Sequence, residues 1–274
     1  PGERHPRTDT ANTNIVGHAG KLWAIVEAGG HPVEITAELE TREHSTFGGT
    51  LGEAFSAHPH LDPATGEMHA ICYSAMAPGH IWHTVLGTDG RIRRNEPIEV
   101  QNGPMIHDCM ITPSYVIVMD LPVTFSMSAL ISGASFPYQW NPKHKARIGL
   151  LPREGRGSDI IWCDVEPCYI FHPSNAYETE DGKVIMDACV YDTMFASGMT
   201  GPDTQASKFE SLVIDPATKK VTREVIDAAP QEFPRYDERR TGKGYRYAYC
   251  LALPASHDAA FVSDPRLFNH DVAS

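Results

Sequence analysis

Several kinds of residue pattern are missing from this 274-residue sequence, and each absence closes a class of function. Its six cysteines (Cys72, Cys109, Cys163, Cys168, Cys189 and Cys250) show no C-x-x-C spacing. That leaves neither a zinc ribbon nor a dithiol redox motif, and a chain of this length does not need disulfides to fold. They read as reduced core thiols, so a cytoplasmic protein is expected. Basic runs are also lacking: Arg239-Arg240 and Lys219-Lys220 are isolated pairs on a chain of net charge −12. Nucleic-acid binders carry basic patches or stripes, so no nucleic-acid partner is expected. No G-x-G-x-x-G loop, helical H-E-x-x-H or G-x-S-x-G elbow occurs, which removes support for dinucleotide chemistry, a zinc protease and a serine nucleophile. The close carboxylates Asp237-Glu238 and Glu178/Glu180 sit in loop-like surroundings and read as solvated charges.

Between Asp120 and Lys143 there is no charged residue at all. The stretch is nonetheless broken by Pro122 and Pro137 and carries Ser126, Ser128, Ser132 and Ser135, so it is too polar to span a bilayer. Phe125, Met127, Leu130, Ile131 and Phe136 are expected to pack against the body. The alternatives are a peripheral membrane contact or a role at the mouth of a substrate passage.

Helical periodicity is scarce, whereas turn signals are frequent. Asp62-Pro63-Ala64-Thr65-Gly66 and Asp215-Pro216-Ala217-Thr218-Lys219 are near copies, and Asp89-Gly90 and Asp181-Gly182 are hairpin pairs. Strand-like runs flank them: His69-Ala70-Ile71-Cys72-Tyr73, Val184-Ile185-Met186 and Ser211-Leu212-Val213-Ile214. Tyr115-Val116-Ile117-Val118-Met119 is a continuous apolar run, the pattern of a strand buried on both faces. An all-β architecture follows, as a sandwich, barrel or propeller, within a single domain over residues 1–274.

Three of the fourteen histidines stand apart. His58 (in Phe55-Ser56-Ala57-His58-Pro59), His107 (in Met105-Ile106-His107-Asp108) and His172 (in Phe171-His172-Pro173-Ser174-Asn175-Ala176-Tyr177) lie at the edges of apolar strand-like runs. About fifty and sixty-five residues apart, they suit strands of successive hairpins converging on one site. Neutral imidazoles gathered in this way bind iron, copper, nickel or zinc. The others, among them His5, His18, His31, His44, His60, His80, His83 and His144, sit beside Gly, Pro, Lys or polar loop residues and read as surface imidazoles.

These phrases, with Asn12-Thr13-Asn14-Ile15-Val16, Leu22-Trp23-Ala24-Ile25-Val26-Glu27-Ala28-Gly29, Phe47-Gly48-Gly49-Thr50-Leu51 and Glu232-Phe233-Pro234-Arg235, resemble the carotenoid cleavage oxygenase family in type and order. The family includes retinal-forming, apocarotenoid-cleaving and lignostilbene-cleaving enzymes, and the resemblance runs from about Asn12 to Asp271. It implies a seven-bladed β-propeller holding Fe(2+) through four histidines, with His58, His107 and His172 matching the first three. It also implies that Glu27 accepts a hydrogen bond from His107 and that Glu232 accepts one from His172, where a carboxylate on Nδ1–H fixes tautomer and ring orientation. Without the family match, both glutamates read as surface ion-pair partners. The implied activity is O2-dependent cleavage of a conjugated carbon–carbon double bond into two carbonyl products, with an apolar polyene or aryl alkene as substrate.

Two departures bear on that picture. The family's fourth histidine falls beyond Leu267-Phe268-Asn269-His270-Asp271, and neither His257 nor His270 corresponds to it. Seven blades at about 45 residues need roughly 315 residues, so the chain is expected to be an incomplete propeller, inactive on its own. Where the stilbene-cleaving branch carries a lysine before the first glutamate, this chain has Val26, which favours a carotenoid or apocarotenoid over a phenolic stilbene. A rival enzyme class is the metal-dependent propeller hydrolase, such as a lactonase, whose oxygen ligands would come from Asp108 and Asn175. A non-enzymatic scaffold is the third reading.

Overall fold

A computed structural model of the protein describes residues 11–28, 30–52, 54–134, 136–196, 207–254 and 266–273. Its strands run in chain order as antiparallel meanders. The first sheet is β1 (Asn14–His18), β2 (Lys21–Ile25), β3 (Val33–Ile35) and β4 (Thr41–His44). The second is β5 (His60–Leu61), β6 (Met68–Tyr73), β7 (His80–Leu86) and β8 (Ile92–Glu99). The third begins with β9 (Met110–Ile111) and β10 (Tyr115–Asp120). An excursion through β11 (Val123–Phe125), helix α1 (Met127–Ile131) and β12 (Tyr138–Trp140) then leads to its outer strands, β13 (Arg147–Pro152) and β14 (Ile161–Asp164). The fourth is β15 (Tyr169–Glu178), β16 (Val184–Tyr191), β17 (Ser207–Asp215) and β18 (Lys220–Asp227), joined to the third by one parallel pairing of Asp164 with Lys220. A three-stranded sheet of β19 (Gln231–Arg235), β20 (Tyr247–Ala252) and β21 (Leu267–Asp271) follows.

The expected turns sit where chemistry requires them. Asp89-Gly90 and Asp181-Gly182 connect β7 to β8 and β15 to β16, with Gly90 and Gly182 at φ of 76° and 82°. Both near-copy turns also fall between paired strands, after β5 and after β17. Strands β6 and β10 are buried along almost their whole length, whereas outer strands β8 and β18 alternate towards solvent. A middle strand covered by a neighbouring sheet on each face is apolar at most positions, with His69 in β6 and Asp120 in β10 as buried polar exceptions. The apolar seams therefore lie between sheets. Trp23 and Ile25 meet Met68, Ala70 and Cys72 across the first, with Phe47 wedged edge-on between Trp23 and Phe55, both at 5.0 Å. Cys189 and Phe209 meet Ala248 and Cys250 across the last.

Four histidines expected at the surface are instead buried: His18, His31, His83 and His144. The turns and strands that carry them are pressed against an adjacent part of the fold, and polar partners repay the lost hydration. His18 Nε2 lies 2.8 Å from Gly87 O, His83 Nε2 lies 3.0 Å from His69 Nδ1, and His144 Nε2 lies 2.8 Å from Asp120 Oδ1. His44 and His80 are exposed as expected, His60 is half-buried, and His5 lies outside the described residues.

The charge-free segment divides. Tyr138 is buried and Phe125 and Phe136 pack against the core, but Met127, Leu130 and Ile131 are exposed, Ile131 by 80%. The helix is only five residues long, capped by Ser126 Oγ accepting from Ala129 N, and turns Ala129 alone inward. No helix among the described residues is long and apolar enough to cross a membrane.

The second and third sheets touch closely at Gly157, where a Cβ would stand 1.9 Å from Pro97 O. Its N–H also donates to Glu96 Oε1 at 2.7 Å. Gly157→Ala must push β8 away from the 3-10 turn at Gly157–Asp159. It is expected to cost about 1–3 kcal/mol, read as a lowered denaturation midpoint of the full-length protein; an unchanged midpoint would show that the contact is soft.

Candidate metal centre

The three singled-out histidines converge. His58 stands two residues before β5, His107 three before β9, and His172 within β15, so each lies on or just ahead of the leading strand of one of three successive sheets. Their rings approach to 4.5 Å (His58 with His107) and 4.9 Å (His172 with either), and one nitrogen from each falls within 4.8 Å of the others. His107 Nε2 and His172 Nε2 are 3.2 Å apart.

Irregular backbone aims these side chains. The β15–β16 register slips on either side of Pro173, directly after His172. The β19–β20 register slips after Glu232, where Phe233 adopts a left-handed φ of 54°. Bulges re-aim side chains in this way, and bulky residues hold positive φ only where their surroundings enforce it. Phe233 then lies 5.1 Å from the His172 ring, while Phe171 meets His107 edge-on at 5.2 Å.

Both glutamates occupy the expected places. His107 Nδ1 lies 2.9 Å from Glu27 Oε1, and His172 Nδ1 lies 2.9 Å from Glu232 Oε2. Glu232 is 1% exposed, which disposes of the surface ion-pair reading, and its Oε2 also receives the Phe233 N–H. With Nδ1–H committed to a carboxylate on each ring, both Nε2 atoms carry lone pairs, and these lone pairs face one another. The buried Nε2 of His58 has no hydrogen-bond partner. A buried polar atom without a partner is costly, and three such lone pairs fit a cation held by imidazoles.

The electrostatics agree. Burial lowers the His58 pKa from 6.5 to about 3, so the ring is neutral at physiological pH and free to ligate. Burial also opposes protonation of His107, but the Glu27 charge and hydrogen bond outweigh it and leave that pKa raised. Burial pushes the Tyr73 phenol well above its usual value, so it remains a donor, at 3.0 Å, to Glu27 Oε2.

Neighbouring groups are already engaged. Asp108 Oδ1 accepts from Cys109 N at 2.6 Å and lies 2.7 Å from His60 Nε2. Asn175 spends its whole amide on the 240–243 loop, donating to Arg240 O and Lys243 O and accepting from Gly242 N. His270 is remote from the trio: it stacks on Phe209 at 4.8 Å, with Nε2 2.6 Å from Gln231 Oε1. His257 lies outside the described residues. Val26 is half-buried beside Glu27. A cavity of about 530 Å³ opens against His58 and His172, with His60, Asp108, Phe233 and Arg235 among its walls. Sequence reasoning missed Tyr73, Phe171 and the His60–Asp108 contact, since each reads as an ordinary strand or loop residue.

Comparison with known proteins gives the same family. The family model described as "Retinal pigment epithelial membrane protein" matches residues 1–273. A carotenoid cleavage oxygenase of Mycobacterium tuberculosis is 38% identical over 297 residues, covering 91% of this chain and 59% of that protein. Among solved structures, cobalt-substituted apocarotenoid oxygenase from Synechocystis superposes with a TM-score of 0.82 at 28% identity, over 95% of this chain and 57% of that one. Lignostilbene dioxygenase from Pseudomonas brassicacearum gives 0.80 at 29%, over 91% and 54%. The chain thus spans little more than half the length of these relatives.

The pKa shifts make acid the destabilising direction for the metal-free protein. The unfolded chain takes up protons below about pH 6.5, whereas buried His58 and His69 resist until about pH 3, and burial likewise holds the His83 pKa well below its usual value. Stability from these three groups is lost as pH falls through that window. His107 acts oppositely: its contribution is present below pH 6.5 and fades as pH rises through its raised value. Glu27→Gln is expected to lower the His107 pKa, because burial remains when the charge is gone. Imidazole NMR titration checks this, and an unmoved His107 resonance would contradict it.

Proposed function

Because the chain belongs to the carotenoid cleavage oxygenase family, we propose that the protein is a non-haem Fe(2+) dioxygenase that splits a conjugated carbon–carbon double bond of a carotenoid or apocarotenoid. One alkene and one O2 give two carbonyl products, so both oxygen atoms are accounted for and no external reductant enters. The observation that carries this reading is the pair of facing Nε2 lone pairs of His107 and His172 at 3.2 Å, with the partnerless Nε2 of His58 beside them.

His58, His107 and His172 would hold the ion, and Fe(2+) when bound would supply the O2 chemistry that side chains lack. The rest falls to the chain. Glu27 and Glu232 hold the Nδ1 protons of His107 and His172, keeping both rings in the ligating tautomer. Their two negative charges would compensate the dication. Phe171 and Phe233 flank the imidazoles with apolar faces that exclude water and suit a polyene. A fourth ligand and a seven-bladed ring closed by further sheets belong to the same proposal.

A stilbene substrate is the nearer alternative, and Val26 in place of a lysine speaks for the polyene. The hydrolase reading is the weaker one, since Asn175 is fully used by the 240–243 loop and Asp108 Oδ1 is engaged by His60 and Cys109 N. For an apolar substrate, exposed Met127, Leu130 and Ile131 are proposed as a peripheral contact with a lipid surface, in an otherwise cytoplasmic protein whose six cysteines are free.

His58→Ala, His107→Ala and His172→Ala in the full-length protein should each abolish stoichiometric iron and O2 consumption with an apocarotenoid. Full iron content in all three variants, or turnover without O2 uptake, would overturn the reading. Separately, Met127→Glu/Ile131→Glu should weaken sedimentation with phosphatidylcholine vesicles while leaving iron content unchanged; equal sedimentation would remove the membrane contact.

A further inference from the structure

We infer that Tyr73 is a positioning residue of the metal centre, acting through Glu27 on the His107 imidazole. The inference rests on the reading of His58, His107 and His172 as metal ligands and adds a component that it did not contain.

The two carboxylates are secured differently. Glu232 is held by its own backbone, its Oε2 taking both the His172 Nδ1 proton and the Phe233 N–H. Glu27 lies two residues past the end of β2, next to a left-handed Ala28 at φ 62°. Among the hydrogen bonds of the described residues it has no backbone donor. Its Oε1 takes the His107 proton at 2.9 Å, and its Oε2 takes the Tyr73 hydroxyl at 3.0 Å. A carboxylate bound at one oxygen can swing about its last torsion; donors on both oxygens fix its plane, and with it the hydrogen bond that orients the imidazole.

Tyr73 is built to stay in place. It is the last residue of β6, pairs with Ile81 of β7, and is 4% exposed. The Tyr138 ring meets it edge-on at 5.9 Å. Its hydroxyl therefore reaches Glu27 from a different sheet than the one that carries either Glu27 or His107. Three successive sheets are tied to one ligand through the sequence Tyr73, Glu27, His107.

A buried phenol also needs an acceptor for its own sake, so the test must separate positioning from packing. Co(2+) binding to the metal-free, full-length protein, followed by visible absorption, gives a dissociation constant that does not depend on turnover. Tyr73→Phe keeps the ring and removes only the donor, and should weaken Co(2+) binding about 3–10-fold, a fraction of the 10–100-fold typical of a direct carboxylate partner and expected for Glu27→Gln. In the Glu27→Gln background, Tyr73→Phe should add less than about 2-fold, because the group it acts through is gone. Glu27→Asp, which withdraws the carboxylate by one methylene, is a second background with the same expectation. Unchanged or tighter binding in Tyr73→Phe, or an equal loss in all backgrounds, would overturn the inference while leaving the metal centre intact. A wild-type protein that binds no Co(2+) would instead overturn the metal reading, and this inference with it.

Discussion

Two imidazole nitrogens of His107 and His172 face each other at 3.2 Å, and each ring has its other nitrogen against a carboxylate. Hydrogen bonding to Glu27 and Glu232 places a proton on each Nδ1, which leaves a lone pair on each Nε2. Two lone pairs at that distance repel unless something positive lies between them. A shared proton would satisfy two rings but not the third, because His58 adds another buried nitrogen without a partner and burial holds its ring neutral. A dication would satisfy all three, and the carboxylates of buried Glu232 and half-buried Glu27 would offset its charge. The remaining structure can be understood as what is needed to keep this arrangement from relaxing.

The sheets supply that rigidity. No single meander contains the site: His58 enters with the second, His107 with the third, His172 with the fourth and Glu232 with the last, while Glu27 comes from the loop after β2. Apolar seams between successive sheets fix their spacing, and the close contact of Gly157 with Pro97 shows how little slack one of them has. Backbone irregularities accompany the functional side chains, at Ala28, at the slips around Pro173 and at Phe233, although left-handed residues such as Ala19, Leu39, Asn102 and Lys219 also occur in turns elsewhere. Site and fold are consequently one cooperative object, since loosening any seam separates ligands that lie far apart in the chain.

How much of this was legible in the sequence follows from which signals are local. Asp-Gly and Asp-Pro-Ala-Thr turns depend on a few adjacent residues, so the hairpins after β5, β7, β15 and β17 could be read directly. The apolar run Tyr115-Val116-Ile117-Val118-Met119 announced a buried strand, and it makes up all of β10 but its last residue. His58, His107 and His172, with Glu27 and Glu232, were legible only through the phrases around them, because convergence of distant segments leaves no local mark. The burial of His18, His83 and His144 was illegible for the same reason: Gly87, His69 and Asp120, which satisfy them, are distant in sequence. Exposure of Met127 and Ile131 was missed because apolar composition reports a preference for burial and not whether a partner is present. Tyr73 reads as one more core residue of an apolar strand, and only its 3.0 Å approach to Glu27 sets it apart.

The claim on which all else depends is that the imidazoles of His58, His107 and His172 bind one ion through Nε2. Anomalous diffraction at the iron edge, from crystals of the iron-loaded full-length protein, tests it most directly. The account predicts one anomalous peak about 2.0–2.3 Å from all three Nε2 atoms, with Glu27 and Glu232 still on the far nitrogens. A peak bound through a carboxylate, a peak reached by fewer than these three rings, or strong iron signal elsewhere with none between them would contradict it.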